Sequence, residues 1–261
     1  MQTNMKKILN IGCCLSLLAL MSTGCKKEAE KIADFTTVPS SQALLKINVV
    51  SMYLANPSFQ LKVNDARVSN LITARTPFPG GGFNTSGDNR PDYLPVDPGA
   101  VKVAATIPKK NTNTDSVSIF STSVNLAAGK YFTLHVTDTA ANTKYVLLED
   151  DITFPAVGTS RYRFVHLIPN VAALDLYHGT TLVASNIPYL GNTVIIRPTL
   201  GAAQGWTVRE AGSGPTGAVL ATYTSANTVI DQRGYTIFAM GYKLSSTTDV
   251  RRPFLSFLLN K

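Results

Sequence analysis

Beyond residue 42 the chain alternates short runs of β-branched and aromatic residues with polar ones, and Gly, Pro, Asn or Asp interrupts the runs about every eight to twelve residues. A period of two places successive side chains on opposite faces of a strand, so the pattern predicts β-structure and no helix. In the first half the predicted strands fall at residues 44–51, 58–64, 101–106, 116–121, 130–137 and 144–149. Within LKINVVS and YFTLHV one face is apolar and the other wetter, as in an antiparallel sheet with one side on a core. The only long apolar run lies upstream, at residues 8–21.

The second half repeats the order of elements found in the first. LLKINVVSMYLANPSFQLKVND corresponds to YRFVHLIPNVAALDLYHGT, and KYVLLEDD to RPFLSFLLNK. AAGKYFTLHVTD corresponds to DQRGYTIFAMGY, with Tyr131 and Tyr235 each opening a strand after a turn that contains Gly129 or Gly234. The expected fold is therefore all-β, with two tandem immunoglobulin-like antiparallel β-sandwich domains at residues 43–152 and 153–261. Neither half has the Cys…Trp…Cys core of a true immunoglobulin domain.

The amino terminus predicts export. Lys6 and Lys7 precede the apolar run, and small residues Ser22, Thr23 and Gly24 lead into Cys25. A helix needs about 20 apolar residues to cross a bilayer, so the run reads as a signal peptide, residues 1–24, and not as an anchor. LMSTGC resembles the lipobox of bacterial lipoproteins, of the looser kind seen in Bacteroidetes, with Ser22 where Leu is usual. That resemblance makes Cys25 a lipidation site and residues 25–42 a tether. The expected location is the cell envelope, as an outer-membrane lipoprotein that is periplasmic or surface-exposed.

Composition narrows the chemistry. Only 15% of the 261 residues are charged, and the net charge is +8. Removal of residues 1–24 takes two lysines and no acid, leaving +6. The three cysteines are Cys13 and Cys14, which leave with the signal, and Cys25, so no thiol remains for redox or metal chemistry. The positive charge is scattered without a basic stripe, which argues against nucleic acid as a partner.

Arg163, Phe164, Val165, His166, Pro169, Asp175, Tyr177 and Gly179 follow the pattern R-F-V-H-x-x-P-x-x-x-x-x-D-V-Y of the bacterial family known as domain of unknown function 4397, which the second half resembles. The first half is similar to a more divergent copy, with Asn48-Val49-Val50 in place of the RFVH core and DYLPVDPGAVKV retained at residues 92–103. The resemblance implies a tandem sandwich on an envelope lipoprotein and brings no activity with it.

Candidate sites are few. His135, His166 and His178 lack metal-ligand spacing, so neither a metal nor a cofactor is expected. His166 reads as a structural ring near the sheet edge or the Pro169 turn, hydrogen-bonded with Asp175, with a catalytic or binding role in which Asp175 orients it as the alternative, and no Gly-x-Ser-x-Gly elbow supports a hydrolase. Glu149, Asp150 and Asp151 read as a solvated hinge, with a Ca²⁺ site as the alternative. Residues 77–93 form the longest irregular segment, a long hairpin connection on which Phe83 and Tyr93 are placed to stack on a sugar or peptide. Trp206, the single tryptophan, is a core or inter-repeat residue before it is a carbohydrate platform.

The expected protein is a non-enzymatic binding, adhesion or structural module. It is held to the membrane through Cys25, with polysaccharide or an envelope protein as partner. A glycan-binding accessory lipoprotein is the alternative, and a hydrolase comes third.

Overall fold

The computed structural model describes residues 38–110, 112, 114–199, 204–244, 246 and 248–261. The expected signal peptide, Cys25 and residues 26–37 of the tether lie outside them. Among the described residues seventeen strands follow one another: β1 (Ala43–Val49), β2 (Gln60–Val63), β3 (Ala66–Arg67), β4 (Gly82–Phe83), β5 (Leu94–Val96), β6 (Gly99–Pro108), β7 (Asp115–Leu126), β8 (Tyr131–Thr137), β9 (Lys144–Glu149), β10 (Thr159–Leu167), β11 (Ala173–His178), β12 (Thr181–Pro188), β13 (Asn192–Pro198), β14 (Trp206–Glu210), β15 (Ala221–Tyr223), β16 (Gly234–Met240) and β17 (Phe254–Leu259). No described helix is long and apolar enough to cross a membrane.

The strands form two sandwiches of the same topology. In the first, the sheet β5-β1-β8-β9 packs on β3-β2-β6-β7; in the second, β13-β10-β16-β17 packs on β12-β11-β14-β15. All pairings are antiparallel except β1 with β8 and β10 with β16, the same pair in each copy. Each sandwich closes on its own core, the first around Leu45, Ile47, Leu61 and Leu134, the second around Tyr162, Phe164, Trp206 and Phe257.

A third apolar cluster joins them. Val50 and Leu148 of the first sandwich meet Val165, Leu167, Phe238, Met240 and Leu258 of the second. The stacking is therefore four sheets deep, and the two middle sheets are covered on both faces. This corrects the expected wetter face of LKINVVS and YFTLHV, because every residue of β1 and all but Tyr131 in β8 are buried. Each large apolar side chain removed from water at this joint contributes roughly 1.5–3 kcal/mol.

The irregular segment at residues 77–93 has a structural task. Its short strand β4 pairs antiparallel with β17, so a piece of the first sandwich becomes the fifth strand of a sheet in the second.

Candidate functional site

The joint between the middle sheets gathers buried Lys46, His135 and Asp150, and its residues come in matched pairs. Backbone bonds set the correspondence. Leu44 N–H donates to the Lys130 carbonyl (2.9 Å) where Arg161 N–H donates to that of Arg233 (3.0 Å). Asp150 N–H donates to Tyr131 (2.7 Å) where Asn260 N–H donates to Gly234 (2.8 Å). In this register Lys46 matches Arg163, Asn48 matches Val165, Thr133 matches Thr236, His135 matches Phe238, and Asp150 matches Asn260. Phe132, not Tyr131, is the counterpart of Tyr235, which shifts the expected repeat alignment by one residue. Strand parity requires it, since Phe132 and Tyr235 face their cores while Tyr131 lines a surface cleft.

Two reciprocal clamps cross the joint. The Lys46 ammonium donates to the Leu259 carbonyl (2.9 Å), and Arg163 Nη1 donates to the Glu149 carbonyl (2.7 Å). Each sandwich thus uses a cation on its first strand to hold the last strand of the other. Around Lys46 the arrangement is closed. The Tyr93 ring lies 4.3 Å from its Nζ, and the Tyr93 hydroxyl donates to the Asp150 carboxylate (3.0 Å). Asp150 also accepts from the Thr133 hydroxyl and from the side-chain amide of Asn260 (3.4 Å), which in turn donates to Thr236 (2.8 Å).

Burial dominates the electrostatics. It pulls the Lys46 ammonium down to about 8 against the charges of Asp150, Asp92 and Asp88. Burial raises the Asp150 carboxyl above its ordinary value, opposed by the Thr133 hydroxyl, the Lys46 charge and the Tyr93 hydroxyl. The Tyr93 phenol is pushed far up by burial and by Asp150. His135, fully buried near Arg163 and Lys46, is pushed down to about 3 and is neutral at physiological pH. Its Nδ1 meets the Asn48 amide at 3.0 Å. These groups bind one another and fasten the two sandwiches together.

Surface chemistry begins where the joint reaches solvent. A shallow cleft of about 600 Å³ is lined by Lys130, Tyr131, Glu149, Asp151 and Arg163 among others. A cavity of about 90 Å³ shares Asp151 and Arg163 with it and is lined also by Arg161, Val194 and Asn260. The cleft carries two ion pairs, Lys130 with Glu149 (2.8 Å) and Arg161 with Asp151 (2.9 Å).

The residues singled out in the sequence scatter. Trp206 is fully buried, stacked on His178 at 4.2 Å and tilted against Tyr162 at 4.7 Å, so its faces are engaged in the core and present no sugar platform. His166 is buried, with Nε2 at 2.9 Å from the Val171 carbonyl and Nδ1 accepting from Ile168 N–H (3.2 Å), a bracing of the turn after β10. Burial pushes His166 down to about 4. Asp175 accepts from the backbone N–H groups of Asn186 (2.8 Å) and Gly212 (2.9 Å) and makes no bond to His166. Phe83 sits in β4 and packs toward Tyr235, at 6.4 Å between rings. Tyr93 alone belongs to the joint, facing inward. Of the acidic run, Asp150 is buried, while Glu149 and Asp151 are ion-paired at the surface. Among the described residues no group of three His, Cys, Asp or Glu side chains is arranged to hold a metal.

Sequence reasoning passed over Lys46, Asn48, His135 and Arg163 as joint residues. The available signal was a lysine in the middle of a strand otherwise rich in Leu, Ile and Val, matched by an arginine at the same position of the second copy.

Comparison with known proteins adds three findings. The profile of the family described as "Domain of unknown function (DUF4397)" matches residues 46–177, beginning at the clamp residue Lys46. No curated protein matches the sequence. A solved protein from Bacteroides uniformis, described as a "putative cell adhesion protein", is similar at 11% identity over 85% of this chain and 98% of that one, with a TM-score of 0.22.

Proposed function

The chain belongs to the family described as domain of unknown function 4397, and from that membership and the geometry of the joint we propose that it is a non-enzymatic binding or adhesion module, held on the cell envelope by a lipid on Cys25. One observation carries the proposal. The buried Lys46 and Asp150 side chains are engaged in fastening the sandwiches, Lys46 to the Leu259 carbonyl and Asp150 to the Asn260 amide. Such an arrangement supports a stiff body whose edges and clefts meet a partner. The apolar run ahead of Cys25 and the small residues before it support the anchor.

Two measurements test the proposal. Purified protein is assayed against polysaccharide arrays and on envelope-protein and host-cell surfaces. Saturable binding to any of these supports a binding module, and turnover in a hydrolase screen, abolished by His166→Ala with folding intact, overturns it. Palmitate labelling tests the anchor: label on the natural chain and none on Cys25→Ser is expected, and a labelled, membrane-associated Cys25→Ser removes Cys25 from the proposal.

A further inference from the structure

The chain itself shows what one of its sheet edges accepts. β4 adds antiparallel to the outer edge of β17, with Leu259 N–H donating to the Gly81 carbonyl (3.0 Å) and the Asn84 side-chain amide donating to the Leu255 carbonyl (2.8 Å). Gly81 is at φ +101° and lies so close that an added Cβ would come within 2.9 Å of Lys46 Nζ. The same insert brings Asp88 and Asp92 near enough to act on the Lys46 charge.

The matching place on the first sandwich is bare among the described residues. β9 corresponds to β17, and its outer edge pairs with no strand. Because Asp150 N–H points to β8, alternation directs Val146 and Leu148 the same way and aims the N–H and C=O groups of Tyr145 and Leu147 outward. Arg163 corresponds to Lys46 and likewise makes no ion pair among the described residues, but its carboxylate neighbours are Asp150 and Asp151 of the joint, and no inserted segment adds acids beside it as Asp88 and Asp92 are added beside Lys46. Val194, which corresponds to Tyr93 in the strand beside it, is 51% exposed. The cavity of about 90 Å³ opens there, and the cleft of about 600 Å³ lies at Glu149 and Arg163. Natural edges are protected by shortness, bulges or proline. Other edges here are two or three residues long, as β3 and β15 are, carry proline, as β5, β12 and β13 do, or pair through register shifts, as β7 does. β9 has six residues, no proline and an unshifted pairing with β8.

We propose that the β9 edge and the Arg163 cleft form a strand-accepting surface for an extended segment of a partner protein. That segment runs antiparallel to β9, has glycine at the point of closest approach and sets a carboxylate against Arg163. The β4–β17 pairing gives the mode by correspondence of β9 with β17, and the Arg163 guanidinium, which lines the cleft without an ion-pair partner among the described residues, gives the charge. The proposal rests on the binding-module reading and names the partner's chemistry; that reading stands or falls separately, on the array and adhesion assays.

The test titrates the full chain with a labelled peptide PGGGFNTSGD, the chain's own residues 79–88, and maps amide protection by hydrogen exchange. Saturable binding that protects the Tyr145 and Leu147 amides is expected. Leu147→Pro, which removes an N–H that β8 does not use, and a peptide carrying Asn for Asp88 should each weaken binding by about tenfold, the equivalent of one hydrogen bond or charge contact. Should Leu147→Pro fail to fold, the peptide pair leaves the protein untouched and decides alone. No saturation in the millimolar range, or protection on β17 in place of β9, overturns the proposal. So does a concentration-dependent dimer with Tyr145 and Leu147 already protected, which makes a second copy the occupant. Binding only after removal of residues 26–37 makes the chain's own tether the occupant and overturns it equally.

Discussion

His135 and Phe238 hold the same position in the two sandwiches and pack on each other across the joint, ring centroids 5.8 Å apart. One copy places an imidazole there with Asn48 as its partner; the other places a phenyl ring beside Val165. The protein thus contains both a polar and an apolar solution to one packing problem.

His135→Phe alone should destabilise the protein by about 1–3 kcal/mol, because the buried Asn48 amide loses its acceptor. Adding Asn48→Val reproduces the pair of the second copy and should recover most of that loss. Denaturant midpoints of the two single variants and the double variant check it, and a double variant no better than His135→Phe refutes it.

Acid should weaken the fold through the same residue. The folded pKa of His135 is depressed to about 3 from an ordinary 6.5, so between those values the unfolded chain takes up a proton that the folded one refuses. Stability therefore falls as pH drops from 6.5 toward 3, and His166, at about 4, adds in the same direction. Urea midpoints across pH 7 to 4 should show a slope shallower by about one proton in the Asn48→Val, His135→Phe double variant.

Lys46→Met should cost at least about 1–3 kcal/mol, since the Leu259 carbonyl loses its donor and Asp150 a neighbouring positive charge. The loss should be felt across the joint, as faster amide exchange at Asn260 on the second sandwich. Unchanged exchange there would show that the clamp does not couple the copies.

Gly81→Ala should cost about 1–3 kcal/mol, because a Cβ at φ +101° is strained and would meet the Arg90 carbonyl at 2.3 Å. The amide of Leu259, which donates to Gly81, is the reporter: its exchange should accelerate before that of Ile237 in the second core.

Trp206 should emit at short wavelength and resist iodide quenching, in keeping with its complete burial. Trp206→Ala should lose about 3–5 kcal/mol, and glycan should leave the emission of the natural chain unchanged. A glycan-induced shift would reopen this side of the sandwich as a binding face.

The strands were legible because their side-chain period is two and their breaks carry turn residues; the two sandwiches were legible because the same order of elements recurs in both halves. What lay hidden was any feature set by parity or by distance in sequence. Tyr131 and Tyr235 look equivalent in a string of letters, yet one lines the cleft at the joint and the other a core, and only the pairing of β1 with β8 and β10 with β16 distinguishes them. The second face of β1 looked wet because it carries Lys46 and Asn48, whose partners Leu259 and His135 lie far along the chain. Trp206 could be placed in a core on chemistry alone, while Asp150 looked like part of an exposed acidic run until the sandwiches closed over it.

The loan of β4 from the first sandwich to the second has a bearing on the chain's history and handling. A copy that supplies part of its neighbour's sheet cannot be excised, shuffled or expressed alone without leaving a raw edge on β17. Two units alike in topology are one by assembly. Cleavage of the connection at residues 152–158 should therefore yield fragments that stay together and re-form from separate halves, in the manner of a split protein.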